Sequence, residues 1–147
     1  MELRSRTGVG GRLRQRGVSA VELALILPLM LIILFGAVEL GSAFWRKQIL
    51  TSAVREGARK GIVATSPRKT TAEIQNAVNT YLTGVGWNAG LATVVVTGAG
   101  GAAGTPLTVQ ATYPTSLRVL SKLMPKTFAV NSSGNVTLTA KVVMQME

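Results

Sequence analysis

The chain has 147 residues, a formal net charge of +10, and no cysteine or histidine. It also lacks aspartate, and its six acidic residues are glutamates spread from Glu2 to Glu147. This composition excludes disulfides, thiolate nucleophiles, imidazole bases and the usual zinc ligands, and it offers little for paired-carboxylate catalysis. We therefore expect no enzymatic activity, no cofactor, no bound metal and no small-molecule substrate.

The basic residues are concentrated at the two ends of an apolar run. Five arginines lie before it, and five basic residues follow between Arg46 and Lys60. Basic clusters that bracket an apolar segment suit anionic lipid headgroups at least as well as they suit nucleic acid. The charge pattern therefore predicts a lipid membrane as partner and no nucleic acid.

Residues 18–45 are predicted to form a transmembrane helix. At 1.5 Å per residue these 28 residues give about 42 Å of helix, against about 30 Å of hydrocarbon in a bilayer. The centre is apolar on every face, and Phe44 and Trp45 stand where an interfacial anchor is expected. Pro28 removes a backbone donor inside the run, which predicts a kink in the helix.

Two other interpretations fit the same segment. The basic start, the apolar run and the small residues Gly41 to Ala43 could form a secretory signal that is cut after Ala43. The run could also be a plain signal anchor. Basic residues are nearly equal on the two sides, so the positive-inside rule does not set the orientation. The short N-terminal arm favours a cytoplasmic N-terminus with the longer part outside.

Glu22 lies at the head of the apolar run. An acid in that position costs about 2.5 to 3.5 kcal/mol unless a cation meets it. Cleavage after Gly17 would place a new ammonium group on Val18, close to the depth of Glu22. That amine could pair with Glu22 of a neighbouring helix and set the axial register, or with Glu22 of its own chain.

The spacing from Gly17 to Glu22, with a basic leader before it and an apolar helix after it, resembles the processing motif of type IV pilins and pseudopilins. More specifically, residues 16–28, 35–41 and 53–59 resemble the TadE-like family of the tight-adherence (Flp) pilus machinery. Residues 136–147 are similar to the closing strand of that family. The resembling segments are spread over nearly the whole chain.

The resemblance implies a minor pilin or pseudopilin needed for biogenesis of a tight-adherence pilus. Prepilin peptidase would cut between Gly17 and Val18, Glu22 would act in assembly, and the helix would pack through Gly36, Glu39 and Gly41. The implied partners are prepilin peptidase, other pilins or pseudopilins and the pilus assembly platform. The implied location is the inner membrane, as a single-pass protein with a periplasmic or extracellular C-terminal domain, or the surface pilus.

A different class of function stays open on the same residues. The protein could be an uncleaved, membrane-anchored periplasmic interaction module with Leu117 to Met124 as its contact surface. A soluble secreted enzyme would need a cut after Ala43 and an active site without His, Cys or Asp.

Residues 46–65 are predicted to form an amphipathic helical stem, which ends before Pro67. Its apolar stripe is rich in small residues and packs either on the domain's own sheet or on a neighbouring subunit. A second helix should follow, because Thr70 and Glu73 have the spacing of a capping box. Its apolar stripe contains Ile74, Ala77, Val78, Tyr81 and Leu82.

Three strands are predicted in the remainder, at 93–97, 107–113 and 136–146, with a short helix at Ser116 to Met124 before the last strand. A glycine-rich loop at 98–104 joins the first two strands, and it lacks the ending of a phosphate-binding P-loop. The predicted fold is α+β, with a long transmembrane and amphipathic helix, a second helix and a three-stranded antiparallel sheet. The predicted domains are a leader (1–17), the transmembrane helix (18–45), the stem (46–65) and a head (66–147).

Overall fold

The structure, a computed structural model, describes the backbone of residues 10–117 and 135–147, and the side chains of these ranges from Ser19 onwards. The elements are α1 (Gly10–Ile62), α2 (Thr71–Gly84), a short 3-10 helix (Ala89–Leu91), β1 (Thr93–Thr97), β2 (Pro106–Ser116) and β3 (Asn135–Gln145). They confirm the predicted α+β fold, with a long N-terminal apolar helix, a second helix and a three-stranded antiparallel sheet. The chain divides into two compact units, residues 1–38 and 39–147.

Local signals at both ends define α2. The Thr70 hydroxyl accepts a hydrogen bond from the Glu73 N–H at 3.3 Å, and the Thr70 N–H donates to Glu73 Oε2 at 2.8 Å, so the predicted capping box is present. At the other end the Trp87 N–H donates to the Leu82 carbonyl and the Gly86 N–H to the Thr83 carbonyl, both at 2.9 Å. This is a Schellman motif, and Gly86 supplies the positive φ of 79° that it requires.

The sheet has the strand order β1-β2-β3, and both pairs are antiparallel. Val96, Val109 and Val142 lie side by side across it, on the face that is turned towards the core. Inward and outward residues alternate along β2 and β3 as the sequence predicts.

Strand β2 is longer than predicted. Pro114 to Ser116 continue the strand and pair with Asn135 to Thr137 of β3, so Ser116 is not part of a helix. Proline is tolerated here because β1 ends its pairing at Thr112, which leaves Pro114 without a neighbour on that side. The rest of the predicted short helix, from residue 118 onwards, lies outside the described residues.

The core of the second unit combines the C-terminal part of α1, one face of α2 and the inner face of the sheet. Its fully buried large side chains are Leu50, Val54, Ile74, Val78, Leu82, Leu107 and Val109. Every member of the predicted α2 stripe is buried except Tyr81, which is half-buried against the core. The stem is therefore a structural part of the folded head.

Candidate membrane and assembly site

The N-terminal part of α1 is an apolar helix without protein cover in the described chain. In the described residues it is the single helix that is long and apolar enough to cross a membrane, and none of its most apolar stretch is buried. Large apolar side chains are exposed all along it from Val21 to Leu40, followed by Phe44 and Trp45. A helix that is hydrophobic on every face needs lipid or other helices around it.

The predicted processing and pairing residues are all on this helix. Gly17 and Val18 have helical backbone, and their side chains lie outside the described residues. Glu22 is exposed one turn further along. Pro28 lies inside α1, which stays helical on both sides of it. The kink at Pro28 therefore remains a prediction.

The predicted packing residues are on the same helix, further along. Gly36 and Glu39 are half-buried and Gly41 is exposed. A Cβ atom added at Gly41 would meet no other atom within 4 Å, so the chain itself places no steric demand for glycine there. Glu22 and Glu39 are 17 residues apart in α1, so these residues form a series along the helix and not one cluster.

The stem behaves differently, because its small residues pack inside the head. Leu50, Ala53, Val54 and Ala58 are fully buried. A Cβ atom at Gly61 would stand 2.6 Å from Leu107 Cδ2 and 2.7 Å from Ile74 Cδ1. The sequence left two packing partners open for the stem, and the structure shows that it packs on the core of its own domain.

The charged residues of the helices form ion pairs on solvated faces. Arg59 Nε lies 2.9 Å from Glu56 Oε2, and this hydrogen bond is the main reason why the pKa of Glu56 is lowered. Lys69 Nζ lies 2.9 Å from Glu73 Oε1. That contact, together with the Thr70 hydrogen bonds, lowers the pKa of Glu73 to about 2. Exposed pairs of this kind stabilise a fold by little.

The C-terminal residues are tied to the end of α1. The Glu147 N–H donates to the Ile62 carbonyl at 3.1 Å, and Arg68 Nη2 donates to the Glu147 main-chain oxygen at 2.7 Å. The side chain of Met146 is buried in the core. These contacts hold the residues that follow β3 beside the C-terminal end of α1.

The head contains a cavity that the sequence patterns do not predict. Six residues from three parts of the chain line a cavity of about 200 Å³, namely Trp45, Arg46, Gly86, Trp87, Asn88 and Tyr113. The sequence suggests an interfacial role for Trp45, and nothing in it connects that residue with Trp87. The signal that could have helped is Gly86, whose Schellman turn sets the direction of Trp87.

These features indicate the class of protein. One N-terminal apolar helix fits a single-pass membrane anchor, and a small α+β domain follows it. Within that class, residues 17–59 match the model of a family described as TadE-like protein. The match confirms the predicted resemblance over these residues, and it suggests, at a general level, a protein associated with the Tad pilus machinery. No curated protein and no solved structure matches the chain.

Proposed function

We propose that the protein is a minor pilin or pseudopilin of a tight-adherence pilus, with a structural and non-catalytic role. The observation that carries the proposal is the extent of the family match, which begins at Gly17 and continues to Arg59. It therefore starts at the proposed cleavage site and includes Glu22 and the whole apolar run. Prepilin peptidase would cut between Gly17 and Val18.

Cleavage would create the partner that Glu22 needs. The new ammonium group on Val18 would lie four residues, about 6 Å along the helix axis, from Glu22. In a bundle of such helices the amine of one subunit pairs with Glu22 of the next, because an isolated carboxylate is unfavourable in an apolar environment. The single acid then sets the axial offset between neighbours.

The division of α1 supports assembly through its first part. The stem buries its stripe in the head, so its small residues are already occupied. The apolar run exposes its side chains, and Gly41 has free space around it. Small residues allow close approach of helices in a membrane. Other pilins or pseudopilins and the assembly platform would therefore contact the run around Gly36, Glu39 and Gly41.

The proposed location is the inner membrane before assembly, with the N-terminus in the cytoplasm and the α+β domain in the periplasm, and then the surface pilus. In this arrangement the five arginines of the leader stay on the cytoplasmic side until cleavage. The alternative is an uncleaved, membrane-anchored interaction module.

The test is the N-terminus of the protein recovered from membranes of the native host, with and without its prepilin peptidase. We expect a peptidase-dependent start at Val18. Glu22→Gln should then be cut normally and should fail to assemble. Glu56→Gln is the matched control, because it removes an equal charge from a solvated face, and it should assemble.

An intact leader together with normal pilus assembly would contradict the processing step and favour the uncleaved module. A start at Phe44 would contradict the membrane anchor, because it would show that the apolar run is a secretory signal. Normal assembly of Glu22→Gln would contradict the role of the carboxylate even if cleavage occurs.

A further inference from the structure

The cavity of about 200 Å³ brings together both tryptophans of the chain and one of its two tyrosines. The ring centroids of Trp87 and Tyr113 are 4.4 Å apart with an angle of 44° between the planes. Trp45 is 61% exposed, and Arg46 beside it is half-buried. Three aromatic rings and the Arg46 guanidinium therefore line the same small cavity.

The cavity is built by three separate elements of the second unit. Trp45 and Arg46 are on α1, Tyr113 is on β2, and Trp87 follows α2. The Schellman turn fixes Trp87, since its N–H donates to the Leu82 carbonyl and Gly86 takes the left-handed conformation. The site is thus formed by the fold before any ligand arrives.

The polar groups of the cavity favour an anionic oxygen ligand. In the described part of the chain, Arg46 makes no ion pair and no hydrogen bond through its side chain. The undescribed residues 118–134 contain no acidic residue that could neutralise it. Asn88 Oδ1 accepts from the Gly90 N–H at 3.0 Å, which leaves the amide N–H groups of Asn88 free to donate. Guanidinium and amide donors together suit a phosphate group.

The position of Trp45 and Arg46 in the chain identifies the source of that phosphate. They directly follow the apolar run, where the helix leaves the hydrocarbon region in the proposed topology. Tryptophan and tyrosine concentrate at that depth because one part of each ring system is apolar and the other forms hydrogen bonds. A phospholipid headgroup is the phosphate that is abundant there.

We propose that this cavity binds the headgroup of an anionic phospholipid, with Arg46 and Asn88 on the phosphodiester and the three aromatic rings around the glycerol region. The bound lipid would hold the α+β domain against the membrane surface. The inference rests on the membrane anchoring in the proposed function and does not depend on cleavage or pilus assembly.

The test uses the full chain in micelles of a neutral detergent, titrated with phosphatidylglycerol and, separately, with phosphatidylcholine. Tryptophan emission is the readout, since both indoles line the cavity. We expect a saturable shift with phosphatidylglycerol at a low mole fraction and a much weaker one with phosphatidylcholine at the same fraction, because the choline cation offsets the phosphate charge that Arg46 would meet. Arg46→Gln should weaken the response about tenfold or more, because a hydrogen bond to a charged group is lost.

Lys47→Gln is the matched control. It removes the same charge from the adjacent residue, which does not line the cavity, and it should change the response by about twofold or less. Equal losses in the two variants would overturn the proposal in favour of general attraction to a basic surface. Equal responses to both lipids would also overturn it.

Two further experiments test separately whether the ligand is a lipid and whether the chain is anchored in the membrane. Glycerol phosphate in place of lipid should give no shift at the concentration where phosphatidylglycerol saturates, and an equal shift would overturn the lipid assignment. Alkaline extraction of host membranes tests the anchor independently. A chain that resists extraction but shows no lipid response would refute the cavity proposal alone, whereas an extracted chain would refute the anchor.

Discussion

Gly57 of the stem provides a sharp test of how α1 packs on the head. A Cβ atom at this position would collide with Val78 Cγ2 and stand 3.4 Å from the Ile74 carbonyl oxygen. Val78 is fully buried, and a β-branched side chain has little freedom to rotate on a helix. We expect Gly57→Ala to destabilise the head.

The expected size follows from two opposing effects. Overpacking a well-packed core costs about 1 to 3 kcal/mol. Replacing glycine by alanine inside a helix stabilises the helix by up to about 1 kcal/mol. Because the clash is with the fully buried, β-branched Val78, we expect the upper part of the overpacking range, about 2 to 3 kcal/mol, and so a net loss of about 1 to 2 kcal/mol. A loss of this size lowers the melting temperature by about 4 to 8 °C per kcal/mol for a domain of this size.

The assay is thermal unfolding of the full chain in neutral detergent, followed by near-ultraviolet circular dichroism of the Trp87 and Tyr113 pair. Gly84→Ala is the control, because a Cβ there meets nothing within 4 Å and the melting temperature should stay or rise. In a double-mutant cycle, Val78→Ala should cost less beside Gly57→Ala, by at least about 0.5 kcal/mol. A Gly57→Ala head as stable as the parent would refute this packing.

Three further predictions concern the head. Thr70→Ala removes the N-cap of α2 and should lower the free energy of unfolding by about 1 kcal/mol, measured by chemical denaturation. The pKa of Glu73 is lowered, so its contribution is present above about pH 4.5 and is lost as the pH falls towards 2. The Glu73→Gln variant keeps a capping side chain that does not titrate. Its melting temperature should therefore change less between pH 4.5 and pH 2 than the melting temperature of the parent protein does. Gly98→Ala should lower the melting temperature and populate unpaired β1, since Gly98 has a φ of 87° and a Cβ would strike the Pro106 carbonyl oxygen. Amide exchange of β1 that stays as slow as in the parent would contradict this last expectation.

The elements that have local signals can be predicted from the amino-acid sequence alone. The all-round apolar run, the Thr70 and Glu73 capping box, and the alternation in β2 and β3 each depend on residues within one or two turns or along one strand. The same is true of the segment around Gly17 and Glu22, where spacing and hydropathy alone carry the resemblance. Such patterns are readable because each reflects a backbone period or a single hydrogen-bonded turn.

Features that depend on contacts between distant residues are visible only in the folded protein. From the sequence, the apolar stripe of the stem could pack on its own head or on a neighbouring subunit. The burial of Gly57 and Gly61 against α2 and β2 shows that it packs on the head. Pro114 reads locally as the end of a strand, yet pairing with β3 carries β2 on to Ser116. Trp45 and Trp87 are 42 residues apart, and no spacing rule connects them. They line one cavity because a Schellman turn and a sheet register act together, and such geometry is set by packing and not by local preference.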